Sequence, residues 1–258
     1  MGGYLDTIAR LIQRRRDPAF VWWRLRYARE LNRFSNIHHG EDCFILGNGP
    51  SLNKIDLERL NDYHSFGLNK IFMLFGRSTF RPTYHVAVNQ LVIEQSAREI
   101  EELPCHTFLS YRHARHLIKK LEHIHYLYTG GPVMFCSEPT DEVNEGYTVT
   151  FVAMELAYFM GFKNVFLVGV DHNFVAQGAP NERQLLSGED PNHFDRGYFA
   201  GKKWDLPDLE ASELSYRMAK FHFVRRGRNI YDATPGGKLQ VFPKVSFEDA
   251  LLLCRRKR

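Results

Sequence analysis

Residues 43–52 read Cys-Phe-Ile-Leu-Gly-Asn-Gly-Pro-Ser-Leu, a short apolar run that ends in a glycine-rich turn. A run of this length bounded by turn residues predicts a buried β-strand. A second run of the same kind, residues 164–170, follows the apolar helical segment 150–160 and its closing Gly161. Buried strands that alternate with helices indicate an α/β fold with a largely parallel sheet.

The rest of the chain continues this alternation. Short apolar runs predict strands at Tyr84–Val88, His106–Ser110, Ile124–Leu127 and, at an edge, Asn229–Asp232. Helical spacing of the apolar residues predicts helices at 90–103, 112–121, 206–226 and 246–254. We therefore predict one Rossmann-like domain, residues 41–258, in which helices flank a mostly parallel sheet.

One long segment interrupts the alternation. Residues 172–204 are polar, rich in His, Asn, Gly and Pro, and without a clear period. Stretches of this length inside compact domains are commonly lids or binding loops. We interpret residues 172–204 as a lid over the functional site, and keep the name "lid" for them below.

The first forty residues form a separate, basic region. Helical spacing predicts one helix at 4–16 and, after a break at Asp17-Pro18, a second helix at about 18–33. Arginines stand beside Trp22 and Trp23 in the second helix. Such a helix either rests on an anionic lipid surface or packs on its own domain, and the sequence leaves both roles open.

The composition excludes several classes of protein. The 258 residues are 44% hydrophobic and 25% charged, which is the balance of an ordinary globular protein. The first forty residues carry a net charge of +5 and the last four carry +4, while the whole chain carries +4, so the residues between them carry −5. A mildly acidic body argues against nucleic acid as a partner.

No stretch reaches the ~18 apolar residues of a membrane-spanning helix, and the first residues show no secretory signal. The four cysteines lie far apart, without the spacing of a zinc ribbon or a secreted disulfide framework. We therefore expect a cytoplasmic protein. Peripheral contact between its basic ends and the inner membrane is a further hypothesis.

The turn Gly47-Asn48-Gly49 predicts a nucleotide site. Its glycines would allow the backbone to approach a ligand, and amides beyond such a turn can bind phosphate. The alternative is a tight turn that only closes the strand. Leu52 stands where the dinucleotide-binding fingerprint has its third Gly, and no P-loop motif occurs in the chain, so NAD and a Walker-type ATPase are disfavoured.

These residues carry a family resemblance. The run 45–52, with Ile55-Asp56 and Leu68-Asn69-Lys70, resembles the nucleotide-binding segment of bacterial lipooligosaccharide sialyltransferases. It is also similar to the larger family of motility-accessory-factor glycosyltransferases and archaeal 6-hydroxymethylpterin diphosphokinases. The helical segment 150–160 and the strand end at 161–171 look like the corresponding parts of that family. The resemblance implies a nucleotide-dependent transferase.

The resemblance also implies which residues bind the nucleotide. In the sialyltransferases the Gly-Asn-Gly loop holds the nucleotide's phosphate, and Asn residues that end the next two strands contact sugar and base. An Asn amide offers both donors and acceptors, which suits it to a nucleobase edge or a ribose hydroxyl. The matching residues here are Asn48 in the loop, Asn69 and Asn89; the alternative for Asn69 and Asn89 is a role as turn formers. The full set of candidate nucleotide-binding residues is Gly47, Asn48, Gly49, Pro50, Ser51, Asn69, Asn89, Thr150, Gly169, Tyr198 and Lys202.

The candidate catalytic residues are Asp171, His172 and His193. Asp171 ends a predicted strand at the edge where open α/β sheets bind ligands, and His172 adds an acid–base group; the alternative for Asp171 is a turn cap. The two tyrosines that closely follow this aspartate in the sialyltransferases are missing, and Lys202 stands where we align their lid histidine. His193 is therefore our candidate base, with Tyr198 and Lys202 as candidate phosphate contacts; the alternative for Lys202 is an ordinary surface charge.

Three functions follow as hypotheses. The first is glycosyl transfer from a CMP-nonulosonic-acid type of donor to a cell-surface glycan or protein, with no tightly bound cofactor and no metal. The second is diphosphoryl transfer from ATP to a pterin-like alcohol, which needs Mg²⁺ and makes Asp171 and Asp195 candidate ligands. The third is a nucleotide-binding module that has lost catalysis.

Overall fold

The computed structural model describes residues 17–131, 133–175 and 177–257. Seven strands form one sheet in which all neighbouring pairs run parallel. A separate antiparallel pair lies in the lid. The strands are β1 (Asp42–Leu46), β2 (His64–Leu68), β3 (Tyr84–Ala87), β4 (His106–Ser110), β5 (Ile124–Leu127), β6 (Asn164–Val168), β7 (Arg183–Leu185), β8 (Lys203–Asp205) and β9 (Asn229–Asp232), with β7 and β8 forming the lid pair. The predicted α/β fold with a parallel sheet is confirmed.

Helices and short 3₁₀ segments connect the strands. Every residue of β1 is buried, so both faces of the sheet are covered at its centre, which explains the unbroken apolar run in the sequence. No described helix has the length and apolar character needed to cross a membrane. The α-helices are α1 (Pro18–Arg26), α2 (Gln90–Gln95), α3 (Ala97–Glu101), α4 (Tyr111–Ala114), α5 (Val149–Phe159), α6 (Leu209–Val224) and α7 (Phe247–Leu253).

Two predicted helices are shorter in the structure. The helix predicted at 90–103 divides into α2 and α3 because Ser96 leaves the helical region, with φ −140° and ψ 26°. The helix predicted at 112–121 is a single turn, α4, after which the amides of Leu117 and Ile118 both bond to the carbonyl of Ala114. The pattern of apolar residues marked both segments correctly as helical but overestimated their lengths.

The N-terminal part of the described chain packs on the sheet. Asp17 caps α1 by accepting a hydrogen bond from the Ala19 amide, and Pro18 occupies the first helical turn. Trp23 is fully buried, and its indole N–H donates to the carbonyl of Tyr126 in β5 at 2.8 Å. The second predicted helix is therefore present, although it continues as a 3₁₀ helix over Ala28–Phe34, while the helix predicted at 4–16 lies outside the described residues.

The strand order creates a crevice at the centre of the sheet. The order is β5-β4-β3-β2-β1-β6-β9, so the chain moves outward from β1 to β5 and then crosses to the other side of β1. The connections that follow β1 and β6 consequently leave the sheet in opposite directions. In open α/β sheets, ligands bind at this point, beyond the carboxyl ends of the strands.

Candidate functional site

The turn after β1 lies directly against the end of β6. The Gly47 amide donates to the carbonyl of Val168, and the Gly49 amide donates to that of Gly169, each at 2.8 Å. A Cβ atom on Gly47 would stand 2.3 Å from the Gly169 oxygen, and one on Gly49 would stand 1.9 Å from a carboxylate oxygen of Asp171. These glycines are therefore required by the neighbouring strand itself, whether or not a ligand is bound.

This packing corrects the expectation of a row of free amides beyond the turn. Besides the two glycines, Ser51 donates its amide to Asp171 at 3.1 Å, and Leu52 donates its amide to Gly49. Pro50 has no N–H, so among the described residues from 47 to 52 the Asn48 amide alone has no partner.

Asp171 binds the turn through both oxygens. One accepts from the Ser51 amide, and the other accepts from the Ser51 hydroxyl at 2.6 Å. Burial raises the pKa of Asp171, while the two hydrogen bonds from Ser51 act in the opposite direction. Asp171 thus caps the turn in this structure, as the alternative interpretation states. It also lines a cavity at the carboxyl edge of the sheet.

Two cavities meet at the carboxyl edge of the sheet. The inner one has a volume of about 140 Å³ and lies between the ends of β1 and β6. The outer one, about 730 Å³, extends beneath the lid toward β3 and β4. Their linings share Asn69, Tyr147, Thr148, Val149, Phe174, His193 and Pro207.

Asn48 and Asn69 bring unpartnered amides to these cavities. The side-chain oxygen of each is buried, and neither makes a hydrogen bond with any described residue. Asn69 adopts the left-handed conformation, φ 49°, that directs the chain away from the end of β2. A buried polar atom without a partner costs about 1–3 kcal/mol, so two such oxygens at one cavity indicate a place for a polar ligand.

Two further residues predicted to bind the nucleotide, Asn89 and Thr150, have partners. Asn89 caps α2 by accepting from the Val92 amide at 3.1 Å, and it lines the outer cavity. Thr150 lies in the first turn of α5, where its amide donates to the hydroxyl of Thr148, and it lines the inner cavity. The N-terminus of α5, with its partial positive charge, is consequently part of the cavity wall.

His193 is held by a buried carboxylate. Its Nδ1 lies 2.8 Å from Asp190 Oδ2, and the Asp190 side chain is 1% exposed. The imidazole stacks on Tyr198, with ring centroids 4.1 Å apart and planes within 3°, and lines both cavities. With a proton on Nδ1 shared with Asp190, Nε2 is left as an acceptor, the arrangement of a general base.

A second imidazole–carboxylate pair lies at the inner cavity, where His172 is one of the lining residues. His172 Nε2 lies 3.2 Å from Glu213 Oε1 on α6, and Glu213 also pairs with Arg217 at 2.8 Å. His172 has a φ of 52°, a strained conformation for a non-glycine residue. Neither partner carboxylate, Asp190 or Glu213, is predicted from the sequence. The spacing Asp190-x-x-His193 within the lid was a signal for the first, whereas nothing local connects His172 with Glu213.

Lys70 fixes the lid to the sheet. Its ammonium donates to the Tyr198 carbonyl at 2.9 Å and to Gln95 at 2.8 Å, while its amide donates to the Tyr198 hydroxyl at 3.1 Å. The Lys70 nitrogen also lies 4.3 Å from the ring centroid of Phe199. Burial lowers the pKa of Lys70 to about 7.

Two residues predicted to contact phosphate, Tyr198 and Lys202, do not line the cavities. Tyr198 is fully buried, and its hydroxyl is engaged by the Lys70 amide rather than directed at a cavity. Lys202 is exposed and belongs to the lining of neither cavity. The lid instead reaches the turn through Phe194, whose amide donates to the Asn48 carbonyl at 2.9 Å.

The donor set of the cavities does not fit a magnesium site. Both oxygens of Asp171 are engaged by Ser51, and Asp195 accepts from the Gly197 amide away from the cavity linings. Within the described ranges, no three metal-ligating side chains converge at this edge of the sheet. Asp171 and Asp195 therefore do not act together as metal ligands in this conformation.

Comparisons with known proteins agree with this architecture. The family model described as 6-hydroxymethylpterin diphosphokinase MptE-like matches residues 24–177, which confirms the resemblance seen in the sequence. No curated protein matches the chain significantly.

Two solved structures resemble the fold. One is a MAf glycosyltransferase from Magnetospirillum magneticum AMB-1, with a TM-score of 0.53 and 14% identity over 88% of this chain. The other is the sialyltransferase CstII from Campylobacter jejuni in complex with a substrate analogue, cytidine-5'-monophosphate, with a TM-score of 0.48 and 15% identity over 81% of this chain and 86% of that one. This chain spans 38% of the length of the Magnetospirillum protein.

Proposed function

This chain belongs to the 6-hydroxymethylpterin diphosphokinase MptE-like family, and from that premise we propose that it is a nucleotide-dependent transferase that moves a glycosyl group. One observation carries the proposal. Two buried, unpartnered side-chain oxygens, Oδ1 of Asn48 and Oδ1 of Asn69, belong to residues that line the inner cavity together with a histidine held by a buried carboxylate. Ligand recognition and a base thus meet at the crevice where open α/β sheets bind ligands.

The nucleotide spans the two cavities. Its leaving phosphate lies in the inner cavity. There the backbone N–H of Asn48, which has no partner in the free protein, and the N-terminus of α5 supply hydrogen-bond donors and positive potential. Its nucleoside extends into the outer cavity, where Asn69 and Asn89 read ribose hydroxyls or the base edge. The side-chain oxygens of Asn48 and Asn69, which have no partner in the free protein, gain hydrogen bonds from the ligand.

His193 serves as the base. Its Nε2 takes the proton of an acceptor hydroxyl, and the freed electron pair of that oxygen attacks the anomeric carbon of the donor sugar. The bond between that carbon and the phosphate oxygen breaks, and the phosphate leaves with the electron pair. His172, oriented by Glu213, faces the departing phosphate from α6's side of the cavity and stabilises its charge.

Within this proposal the donor is a CMP-linked nonulosonic acid and the acceptor is a cell-surface glycan or protein. The choice of a cytidine nucleotide rests on the sialyltransferase resemblance of residues 45–52 and 68–70. The absence of a fitting magnesium donor set within the described part of the cavities supports a nucleotide monophosphate as leaving group, because that chemistry needs no metal to bridge phosphates.

The second candidate is diphosphoryl transfer from ATP, which the family's description favours. In that reaction the acceptor's hydroxyl oxygen attacks the β-phosphorus and AMP leaves. His193 would take the same proton, so the base does not discriminate between the two functions. The nucleotide and its metal requirement do.

Nucleotide binding tests the proposal. We expect the melting temperature of the full chain to rise with CMP in the presence of EDTA, and to rise less with ATP and Mg²⁺. Release of CMP from a CMP-sugar, measured with and without His193→Gln, then tests the base. A melting temperature that rises with ATP and Mg²⁺ but not with CMP would assign the chain to the second candidate, and no response to either nucleotide would contradict both.

We also propose that α1 contacts anionic lipid. Trp22 and Leu25 are 60% and 74% exposed, and the exposed Arg24 and Arg26 flank them. Aromatic and aliphatic side chains beside arginines suit the interface of an anionic bilayer. An enzyme whose acceptor is carried on lipid would work at that surface.

A further inference from the structure

Two histidines and a glutamate converge at the amino-terminal edge of the sheet, opposite the nucleotide cavities. One side-chain ligand atom from each of His38, Glu41 and His64 lies within 4.8 Å of the other two. His38 Nδ1 is 2.6 Å from Glu41 Oε2, and His64 Nε2 is 3.2 Å from the same oxygen. Two imidazoles and one carboxylate form a donor set that suits zinc and related divalent ions.

The backbone fixes all three residues in place. The turn that carries His38 is bonded to the end of α5, since the His38 amide donates to the Met160 carbonyl at 2.9 Å. Glu41 follows one turn later, and its carbonyl accepts from the Lys163 amide at 2.6 Å. His64 is the first residue of β2, where its neighbour in β1 is Cys43. The ligands therefore come from two segments that the sheet holds together.

The surroundings of His38 match those of a metal-ligating imidazole. His38 Nε2 lies 2.6 Å from the Tyr84 hydroxyl, an outer partner that orients the ring. The His38 ring also stacks on Phe162 at 4.5 Å.

We propose that His38, Glu41 and His64 bind a divalent transition-metal ion of the zinc class. Donor atoms at tetrahedral angles around zinc lie about 3.3 Å apart, so the Glu41 to His64 separation already fits and the Glu41 to His38 separation opens by less than 1 Å. His38 then carries its proton on Nε2 and donates a hydrogen bond to the hydroxyl oxygen of Tyr84. Glu41 is 36% exposed, which gives the ion a route in and leaves room for water as the fourth ligand.

The ion acts on the fold rather than on the transfer reaction. It connects the segment that precedes β1 with the start of β2, at the edge of the sheet remote from His193. We therefore expect it to stabilise the protein without being needed for nucleotide binding. The proposal is independent of the proposed function.

The test is titration of the chelator-treated full chain with Zn²⁺ by calorimetry, with melting temperatures measured alongside. We expect one ion per chain and a higher melting temperature with Zn²⁺ than with EDTA, and no comparable effect of Mg²⁺, which prefers oxygen ligands. Glu41→Gln and His64→Gln weaken binding by more than about 100-fold, and Tyr84→Phe by about 10–100-fold, the range for outer partners. The exposed His39→Gln is the matched control and leaves binding unchanged.

Two results would overturn the proposal. One is Zn²⁺ affinity that is absent, or the same in Glu41→Gln and His64→Gln as in the natural chain. The other is a strong thiolate charge-transfer band on Co²⁺ binding, which would place the ion on cysteines. Glu41→Gln keeps the side chain's shape at a partly exposed position, so that a loss of binding there is not a failure to fold, and circular dichroism checks this.

Discussion

Single side chains define the candidate site more sharply than the turn that first drew attention. The side-chain oxygens of Asn48 and Asn69 are buried without partners, whereas most backbone amides of the turn donate to the end of β6 and to Asp171. Polar atoms are rarely left in this state in a stable protein. The site is thus marked by what is unsatisfied in the free protein.

This view gives a prediction for Asn48→Ala. Because the side-chain amide makes no hydrogen bond, its removal should leave the free energy of unfolding unchanged or raise it by about 1–2 kcal/mol. The rise in melting temperature caused by CMP should disappear. Asn61→Ala is the control, since the Asn61 amide bonds to Thr79 and Arg81 outside the site and its loss should lower stability without changing the CMP effect. A large loss of stability in Asn48→Ala would contradict this account.

Asp190→Asn tests how His193 is held. An amide can donate to Nδ1 and so favour the tautomer with its proton on Nε2, which cannot accept a proton from the substrate. We expect turnover to fall by about 10²–10⁴, with a changed pH profile and nearly unchanged nucleotide affinity. Asp195→Asn is the control in the lid, because the Asp195 carboxylate accepts from the Gly197 amide and not from His193. Equal activity in both variants would exclude His193 as the base.

The elements around the site are held by close backbone contacts. In Gly47→Ala the new Cβ would meet the Gly169 carbonyl at 2.3 Å, and backbone of a central strand cannot move away easily. We expect the free energy of unfolding to fall by about 1–3 kcal/mol or more in chemical denaturation, with loss of nucleotide binding. Gly76→Ala meets nothing within 4 Å and should stay within about 0.5 kcal/mol of the natural chain. Similar stabilities for the two variants would show that the turn does not abut β6.

The lid's attachment through Lys70 predicts a pH dependence. Burial lowers the pKa of Lys70 to about 7 in the folded protein, below its unfolded value. Between these two pKa values the unfolded chain binds the proton and the folded chain does not, so the free energy of unfolding rises as pH increases above about 7. Below about pH 7 both states are protonated, so the cost of burying the ammonium is fully present and Lys70 adds no further pH dependence to the free energy of unfolding.

Lys70→Met removes this titration. We expect denaturation at pH 6.5, 8.0 and 9.5 to show a smaller rise of stability with pH in Lys70→Met than in the natural chain. The exposed Lys119→Met is the control and should keep the full rise. If Lys70→Met and the natural chain respond to pH in parallel, the buried ammonium does not have the lowered pKa that the structure indicates.

The molecule as a whole presents two different edges. The carboxyl edge of the sheet holds the inner and outer cavities and the lid, and the amino edge holds His38, Glu41 and His64. Beside them, α1 covers β5 with Trp23 and exposes Trp22 and Leu25 on its other side. One helix can therefore both protect the edge of the sheet and face a membrane.

Vesicle binding tests this last role. We expect the full chain to sediment with vesicles rich in phosphatidylserine but not with neutral vesicles, and to lose most of this binding at high salt. Trp22→Ser with Leu25→Ser should weaken the binding. Leu214→Ser with Phe221→Ser, at exposed apolar positions of α6, is the matched control. Equal binding by both double variants would exclude α1 as the contact surface.

How much of this could be predicted depends on the range of the interactions involved. The strands β1 and β6 were predicted because their apolar runs and glycine ends are local features. No apolar run marked β2, since Ser65 and Gly67 interrupt it, and only the family resemblance placed Asn69 at a strand end. The lid appeared as a stretch without period, and its β7–β8 pair was not predicted.

The sequence by itself determined the parallel α/β fold, the glycine turn after β1, the family, and His193 as a candidate base. Only the tertiary structure decided that the turn's amides are already bonded, that Asn48 and Asn69 are left unpartnered, that Asp190 and Glu213 hold the two histidines, and that Tyr198 supports the lid. The physical reason is that apolar runs and turns depend on neighbours in the chain. Hydrogen-bond satisfaction depends on which strands lie side by side, and that order is fixed by packing of the whole sheet.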